Sequence, residues 1–199
     1  MCPISMTCAA VPALGHNSAP AQMYEPLLAS TQYDFGLRVP SSKRGLIAGM
    51  SMTEKQGGSD VRANTTTATP SADGSYSIVG HKWFTSAPMS DMFLTLAQAP
   101  GGLSCFLLPR VLPDGTRNRI VLQRLKDKLG NKSNASGELE YQGATGWLVG
   151  EEGRGVPTII EMVNMTRLDC VIGSAAGIRN ATVRAVHHPR HRSGFGATL

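Results

Sequence analysis

Between residues 46 and 141 the chain is a series of short apolar or β-branched runs separated by turn signals. Asp73-Gly74 and Pro113-Asp114-Gly115 are typical of tight turns, and Pro100-Gly101-Gly102 joins two strongly apolar runs. Several short strands with regular turns predict a barrel or a sandwich. The runs that we read as strands are 46–52, 62–69, 76–81, 92–97, 104–109, 120–125 and 137–141.

On both sides of this region the apolar residues adopt the period of a helix. From 157 to 188 they recur at helical spacing, and Pro157 suits an early helical position. Residues 5–14 and 21–30 predict two short helices, the first broken at Pro12, in a region that we expect to be poorly packed. The expected class is α+β, a central antiparallel β-barrel or sandwich with incomplete helical flanks. The expected domains are 1–40, 41–155 and 156–199.

Composition is consistent with a globular protein that has no membrane span. Of the 199 residues 41% are hydrophobic and the net charge is +5. No apolar run approaches the ~18–20 residues of a spanning helix. The mild positive charge permits contact with phosphates, CoA or nucleic acid without requiring any of them. Four cysteines without a Cys-x-x-Cys pair, and the lack of a signal-peptide pattern, predict a cytoplasmic protein. We expect Cys105 and Cys170, which lie in apolar runs, to be buried thiols.

The strongest indication of a function is the segment MTEKQGGSD, which begins at Met52. Its glycines let backbone amides approach a ligand closely, and its hydroxyls serve as donors to carbonyl and phosphate oxygens. About two dozen residues later comes HKWFTS, in which Trp83 offers a broad apolar face and one donor. Such a loop beside an aromatic strand suits a flat ring system with polar edges. We read Glu54 and Asp60 as groups that fix the loop.

These two segments resemble the flavin-binding signature of the acyl-CoA dehydrogenase family, whose usual form is TEPGAGSD followed by a W-[IF]-[TS] strand. The resemblance continues through LSCFLLPR, LPDG, RLKDKLGNKSNAS and MTRLDC, from about Lys43 to Leu199. The wording of the motifs is most similar to a branch of that family associated with the response to alkylation damage. The resemblance implies FAD as the cofactor and acyl-CoA, or a related small molecule, as the substrate.

The resemblance also implies roles for single residues. The Thr53 hydroxyl would bond to the edge of the isoalloxazine ring, Met52 would back the ring, and Ser59 would reach a phosphate or the acyl-CoA. An aromatic residue of the second segment would lie near the ring. Thr85 and Ser86 both offer a hydroxyl for its polar edge, and the choice between them stays open. The expected cofactor-binding residues are Met52, Thr53, Gly58, Ser59, Trp83, Phe84, Thr85, Arg192 and Phe195.

Two of these residues imply an oligomer. The sequence RSGFG, with Arg192 and Phe195, resembles the family's R-x-x-F-G, whose arginine binds the pyrophosphate of a flavin held mainly by a neighbouring subunit. The resemblance therefore implies a homo-oligomer, a tetramer in the intact protein. Pro189, inside the expected helix, would break or kink it.

Further basic residues could contact the substrate. Arg167, in MTRLDC, matches an arginine that lines the family's acyl-CoA pocket, so Ser59 and Arg167 are the expected substrate-binding residues. Lys128 and Lys132 could meet CoA phosphates or simply form a solvated basic turn.

The sequence leaves three functions open. The first is a flavoprotein that, as an intact protein, oxidises acyl-CoA thioesters at the α,β-carbons. No residue here matches the family's catalytic carboxylate, so we expect the chain to be a fragment, inactive by itself, and assign no catalytic residue. The second is a DNA-associated flavoprotein of the alkylation response with little turnover, its DNA contacts lying in a C-terminal region absent here. The third is a remnant barrel without activity.

Overall fold

The computed structural model describes residues 2–15 and 19–198. Its helices are α1 (Cys2–Leu14), α2 (Ala19–Leu28) and α3 (Gly155–His191), with two 3-10 turns at Pro40–Ser42 and Val61–Ala63. The strands are β1 (Ala48–Thr53), β2 (Thr67–Pro70), β3 (Tyr76–Ser86), β4 (Met92–Ala99), β5 (Gly102–Pro109), β6 (Ile120–Leu125), β7 (Ser136–Val149), β8 (Ser193–Gly194) and β9 (Ala197–Thr198). The α+β class predicted from the sequence is confirmed.

The seven strands β1 to β7 close into a barrel. β1 pairs with β3 on one side and with β4 on the other, and β4, β5, β7 and β3 complete the ring. β2 is inserted between β3 and β4, and β6 extends the sheet from β7. Most pairs are antiparallel, as expected, but β1–β4 and β2–β4 are parallel. Residues 62–69, predicted as one strand, divide into a 3-10 turn and the shorter β2.

The barrel has an apolar core inside and a second one outside. Along β4 and β5 successive side chains alternate between the two, so that Phe93 and Phe106 point inward and Leu94 and Leu107 outward. Both faces of these strands are buried, which explains why their sequences are continuous apolar runs rather than alternating ones. The outer core lies under the helices.

The N-terminal helix α1 belongs to this outer core. It buries Met6, Ala9, Ala10, Ala13 and Leu14, and its alanines allow close approach to the barrel. The expectation of a poorly packed N-terminal region is therefore wrong for α1. Pro12 does not break the helix either, which continues to Leu14. The Thr7 hydroxyl accepts a hydrogen bond from the Ala48 amide at 3.0 Å, so that α1 is also fixed to the first residue of β1.

The long helix α3 packs on the barrel and on α1 near its beginning, and its far end contacts the short strand β9. Ile159 and Met162 are buried in the outer core, and the Ser5 hydroxyl of α1 donates to Asp169 at 2.7 Å. Beyond Met162 nearly every side chain is exposed. The helix continues through Pro189 without ending there. Cys170 is exposed, not buried as predicted, because it lies on this uncovered length, whereas Cys105 is buried. No described helix combines the length and apolar character needed to cross a membrane.

Replacement by alanine should have opposite effects on stability at two glycines of α3. A Cβ at Gly155 would lie 2.5 Å from the Ser104 carbonyl carbon, whereas a Cβ at Gly173 would meet nothing within 4 Å. We expect Gly155→Ala to lower the free energy of unfolding by ~1–3 kcal/mol, because backbone must move. We expect Gly173→Ala to raise helix stability by ~0.5–1 kcal/mol. Urea unfolding followed by circular dichroism measures both, and shifts of equal sign would contradict this packing.

Candidate functional site

The two segments singled out in the sequence lie side by side on paired strands. Ser51 and Thr53 of β1 stand opposite Thr85 and Phe84 of β3 in an antiparallel register. The register slips by one residue between Ser51 and Thr53, which is the signature of a β-bulge. The loop that follows Thr53 therefore begins beside the aromatic residues of β3.

Several side chains at this junction combine apolar surface with hydrogen-bonding groups. Met52, Thr53 and Trp83 are half-buried, and Phe84 is 40% exposed. Within residues 2–15 and 19–198 no hydrogen-bond partner is found for the Thr53 or Ser59 hydroxyl or for the indole N–H of Trp83. Partly exposed apolar surface with unpaired donors beside it is typical of a ligand site.

The two hydroxyls that follow Phe84 have different environments. Thr85 is fully buried, and its Oγ1 lies 2.6 Å from the Ser51 Oγ inside the barrel. Ser86 is half-buried and pairs with Met50, which packs in the outer core, so its side chain lies on the outer face. The geometry therefore favours Ser86 over Thr85 as the hydroxyl that a ligand outside the barrel could reach.

A buried carboxylate fixes the start of the loop. Glu54 accepts hydrogen bonds from the amides and hydroxyls of Thr65 and Thr66 at 2.6–3.1 Å. It also pairs with the Lys82 ammonium at 2.8 Å, and Lys82 donates to the Leu96 carbonyl at the same distance. Both side chains are almost completely inaccessible. The interpretation of Glu54 as a loop-fixing group agrees with this geometry.

Burial and hydrogen bonding act in opposite directions on this ion pair. Burial would raise the pKa of the Glu54 carboxyl, but hydrogen bonds from Lys82, Thr66 and Thr65 outweigh it and lower the pKa from 4.5 to about 2. Burial lowers the pKa of the Lys82 ammonium to about 8, against the opposing effect of Glu54. At neutral pH the pair is therefore ionised.

The remainder of the loop turns tightly back on Thr53. Gly57 has φ +120°, which favours glycine, and a Cβ at Gly58 would lie 2.8 Å from the Thr53 hydroxyl oxygen, so a side chain there would displace that hydroxyl. Gly58 and Ser59 are exposed. The Asp60 carboxylate accepts from the Arg62 amide at 3.2 Å and caps the following 3-10 turn, which agrees with the loop-fixing role expected of it.

Three cations surround the Trp83 indole, an arrangement that sequence reasoning missed. The Lys126 ammonium lies 3.3 Å from the ring centroid, the Arg124 guanidinium carbon 5.5 Å and the Lys55 ammonium 5.8 Å. Glu138 on β7 bonds to both Lys126 and Arg124, at 2.6 and 2.7 Å. Trp83 is far in the sequence from Arg124, Lys126 and Glu138, and the pairing of β3 and β6 with β7 brings them together.

The remaining predicted residues lie outside this junction. Arg167 is exposed on α3, 3.5 Å from the Asn164 side-chain oxygen. Arg192 and Phe195 follow the far end of α3 and are exposed. A helix of 37 residues is roughly 55 Å long, so they are distant from the part of α3 that packs on the barrel.

The two lysines of the basic segment differ. Lys128 donates to the Asn134 carbonyl and, at 3.2 Å, to the Ser136 hydroxyl, and so holds its own loop together. Lys132 is 70% exposed, with Asp127 at 3.9 Å, and so fits the solvated alternative.

Comparison with known families agrees with this geometry. The middle domain of acyl-CoA dehydrogenases matches residues 49–144, which include both paired segments. The N-terminal domain of the adaptive response protein AidB matches residues 1–35. AidB of Escherichia coli K12 is 56% identical over the whole chain. The chain belongs to the acyl-CoA dehydrogenase family. Its predicted similarity to the AidB branch of that family is also confirmed.

Other acyl-CoA dehydrogenase relatives have the same fold. Acyl-CoA dehydrogenase family member 11 of Caenorhabditis elegans is 35% identical over 99% of the chain. The crystal structure of C. elegans ACDH-11 in complex with C11-CoA superimposes with a TM-score of 0.82 over 99% of the chain and 34% of its own. The chain spans about a third of the length of these curated relatives, 37% of AidB and 33% of family member 11.

The ion pair that fixes the loop predicts a specific acid sensitivity. Because its pKa is lowered in the folded state, Glu54 stabilises the protein fully above pH 4.5 and loses that contribution as the pH falls to about 2. At pH 7 Glu54→Gln leaves a buried ammonium without its counter-charge, and we expect a loss of ~3–5 kcal/mol in the free energy of unfolding.

Urea unfolding of the wild type and the variant between pH 7 and pH 2.5 tests this prediction. The difference between them should shrink steadily below pH 4.5. Glu140→Gln is the matched control, because Glu140 pairs with His81 at 2.8 Å with its side chain 35% exposed. We expect it to cost less than ~1 kcal/mol. A difference for Glu54→Gln that stayed constant across the acid range would contradict the assignment.

Proposed function

We propose that this chain supplies the flavin-binding barrel of an FAD-dependent oxidoreductase that, as a whole protein, oxidises acyl-CoA thioesters at the α,β-carbons. The observation that carries the proposal is the pairing of β1 with β3. It brings Thr53, at the start of the glycine loop, beside Trp83 and Phe84, with apolar surface and unpaired donors left accessible. Bound FAD would supply the acceptor for the electrons removed from the substrate.

The chemistry of the accessible groups fits a flat aromatic ring with polar edges. Met52, Trp83 and Phe84 offer apolar contact to its faces. The hydroxyls of Thr53 and of Ser86 would donate to its polar edge, whereas that of Thr85 faces the barrel interior. The tight turn at Gly58 keeps the loop against Thr53, which leaves the Ser59 hydroxyl exposed for a phosphate. Hydrogen bonds at the ring edge tune the reduction potential of a flavin.

For the substrate we propose an acyl-CoA or a closely related thioester, contacted by Ser59 and Arg167. ACDH-11 of C. elegans, whose structure contains C11-CoA, supports a CoA ester as the class of ligand. We assign no catalytic acid or base among the described residues. Arg167 lies about one turn beyond Met162, where α3 leaves the barrel, so it is exposed for such a contact.

We propose that Arg192 and Phe195 serve a second copy of the chain, as part of a homo-oligomer that is a tetramer in the intact protein. Their distance from the end of α3 that packs on the barrel supports a contact with a neighbouring copy rather than with their own barrel. We also propose domains at 1–40, 41–155 and 156–199. Because α1 shares the outer core with β4 and β5, the boundary near residue 40 separates helical from β structure. It does not separate two units that fold independently. A cytoplasmic location stays a prediction.

A second candidate function is favoured by the match to AidB. We propose as the alternative a DNA-associated flavoprotein of the alkylation response with little dehydrogenase turnover. The match of residues 1–35 to the N-terminal domain of an adaptive response protein supports that branch.

A hydroxyl deletion tests the flavin site directly. We expect the chain to bind FAD, and Thr53→Ala to weaken binding by one polar contact, ~1–2 kcal/mol or roughly 5–30-fold in Kd. Thr67→Ala removes an exposed hydroxyl from β2 and serves as the control, with no expected change. Titration of the apoprotein with FAD, followed by flavin fluorescence, measures both. A chain that binds no FAD, or equal Kd values for the two variants, would contradict the site.

The two candidate functions differ in their response to DNA and to substrate. The dehydrogenase function predicts that the FAD of the whole protein is bleached by a short acyl-CoA without oxygen. The alternative predicts retention on double-stranded DNA that weakens steeply as salt rises, because phosphate contacts release counterions. For residues 1–199 alone, with a net charge of +5, we expect little DNA affinity. Tight, salt-sensitive binding by this chain would instead show a DNA surface on the barrel or its flanks.

A further inference from the structure

The charged side chains around Trp83 take no part in the roles proposed above. The Lys126 ammonium lies over the face of the indole, 3.3 Å from its centroid, and 5.5 Å from the Phe84 ring. It also bonds to Glu138 at 2.6 Å. An ammonium at this distance from an indole face makes a favourable cation–π contact.

Lys126 is held more firmly than its neighbours. Its side chain is 11% exposed and that of Glu138 is 7% exposed, whereas that of Arg124 is 63% exposed. Lysine is rarely so well buried without a partner, and here both a carboxylate and an aromatic face provide one. Exclusion of water strengthens both contacts.

This cluster carries a net positive charge. The single carboxylate of Glu138 lies between Lys126 and Arg124, so one positive charge is left uncompensated, and the Lys55 ammonium lies 5.8 Å from the same indole. Along the sheet the order is β1, β3, β7, β6. Thr53 at the end of β1 and Lys126 just after β6 therefore flank Trp83 from opposite sides.

We propose that Lys126 is a positioning residue for the bound flavin: it fixes the Trp83 indole from the side opposite Thr53 and places one positive charge beside the ring. This inference rests on the proposed function, since it concerns the same FAD. A flavin that takes up two electrons gains negative charge, and a nearby cation stabilises that form relative to the oxidised one. Lys126 therefore raises the reduction potential.

Three variants of the FAD-loaded chain test the proposal by redox titration against a dye of known potential. Lys126→Met should change the ratio of oxidised to reduced flavin at a fixed potential by about tenfold, a shift of about 30 mV to more negative values for a two-electron couple. Lys126→Arg keeps the charge and should restore most of the potential. Arg119→Met is the matched control, because it removes the same charge from an exposed residue next to the other end of β6.

A second measurement needs no flavin. The chain has two tryptophans, Trp83 and Trp147. In a Trp147→Phe background the fluorescence reports Trp83 alone. Loss of the ammonium in Lys126→Met should change the fluorescence emission of Trp83, whereas Arg119→Met should leave that emission unchanged.

Each outcome decides one of the two proposals. Bound FAD with the same potential in Lys126→Met and wild type would overturn the role of Lys126 and leave the flavin site intact. A loss of stability without a shift in potential would reduce Lys126 to a structural ion pair and overturn it too. Failure of the unsubstituted chain to bind FAD would overturn the proposed function, and this inference with it.

Discussion

The ion pair of Glu54 with Lys82 is the interaction on which the rest of the site depends. Charges inside a barrel are costly unless each is paired and its remaining hydrogen-bonding capacity is used. Here the carboxylate also accepts four hydrogen bonds from Thr65 and Thr66, and the ammonium donates one to the Leu96 carbonyl. Glu54 comes from the glycine loop and Lys82 from the aromatic strand. The contact that satisfies the buried charges thus also joins the two segments, in addition to the pairing of β1 with β3.

The same constraint separates the two faces of the aromatic strand. Lys82 and Thr85 point into the barrel, where their partners are Glu54 and Ser51. The bulge between them turns Trp83 and Phe84 outward together, because one extra residue interrupts the alternation of side chains. The burial of Lys82 and Thr85 and the accessibility of Trp83 and Phe84 therefore follow from one irregularity in strand pairing.

The sequence predicted most of the fold, and the reasons for the exceptions are physical. Strands such as the one at 104–109 were predicted correctly, because burial on both faces requires a continuous run of apolar residues. The region before β1 was misjudged, because the alanines of α1 give a weak apolar pattern even though the helix is deeply packed. Cys170 was misjudged because a helical apolar stripe does not reveal whether anything covers it.

For the site, local motifs located the loop and the indole but not their surroundings. The pairing of Glu54 with Lys82 and the cations over Trp83 depend on which strands become neighbours. Residue spacing carries no record of a contact between Lys126 and Trp83, since β7 lies between their strands. The choice between Thr85 and Ser86 shows the same limit, because it depends on a register shift between Lys82 and Thr85 that the sequence does not reveal.

Closure of the barrel also has a kinetic consequence. Ser51 and Thr85 are separated by 34 residues, and the parallel pairing of β1 with β4 joins residues that lie 44 apart, such as Ala48 and Met92. Contacts between distant segments form slowly, because loop entropy is lost before they contribute. Contacts absent from the transition state govern the rate of unfolding rather than of folding. If β1 pairs with β3 only after the transition state for folding, a small molecule bound across these two strands would slow unfolding. It would leave the rate of folding unchanged.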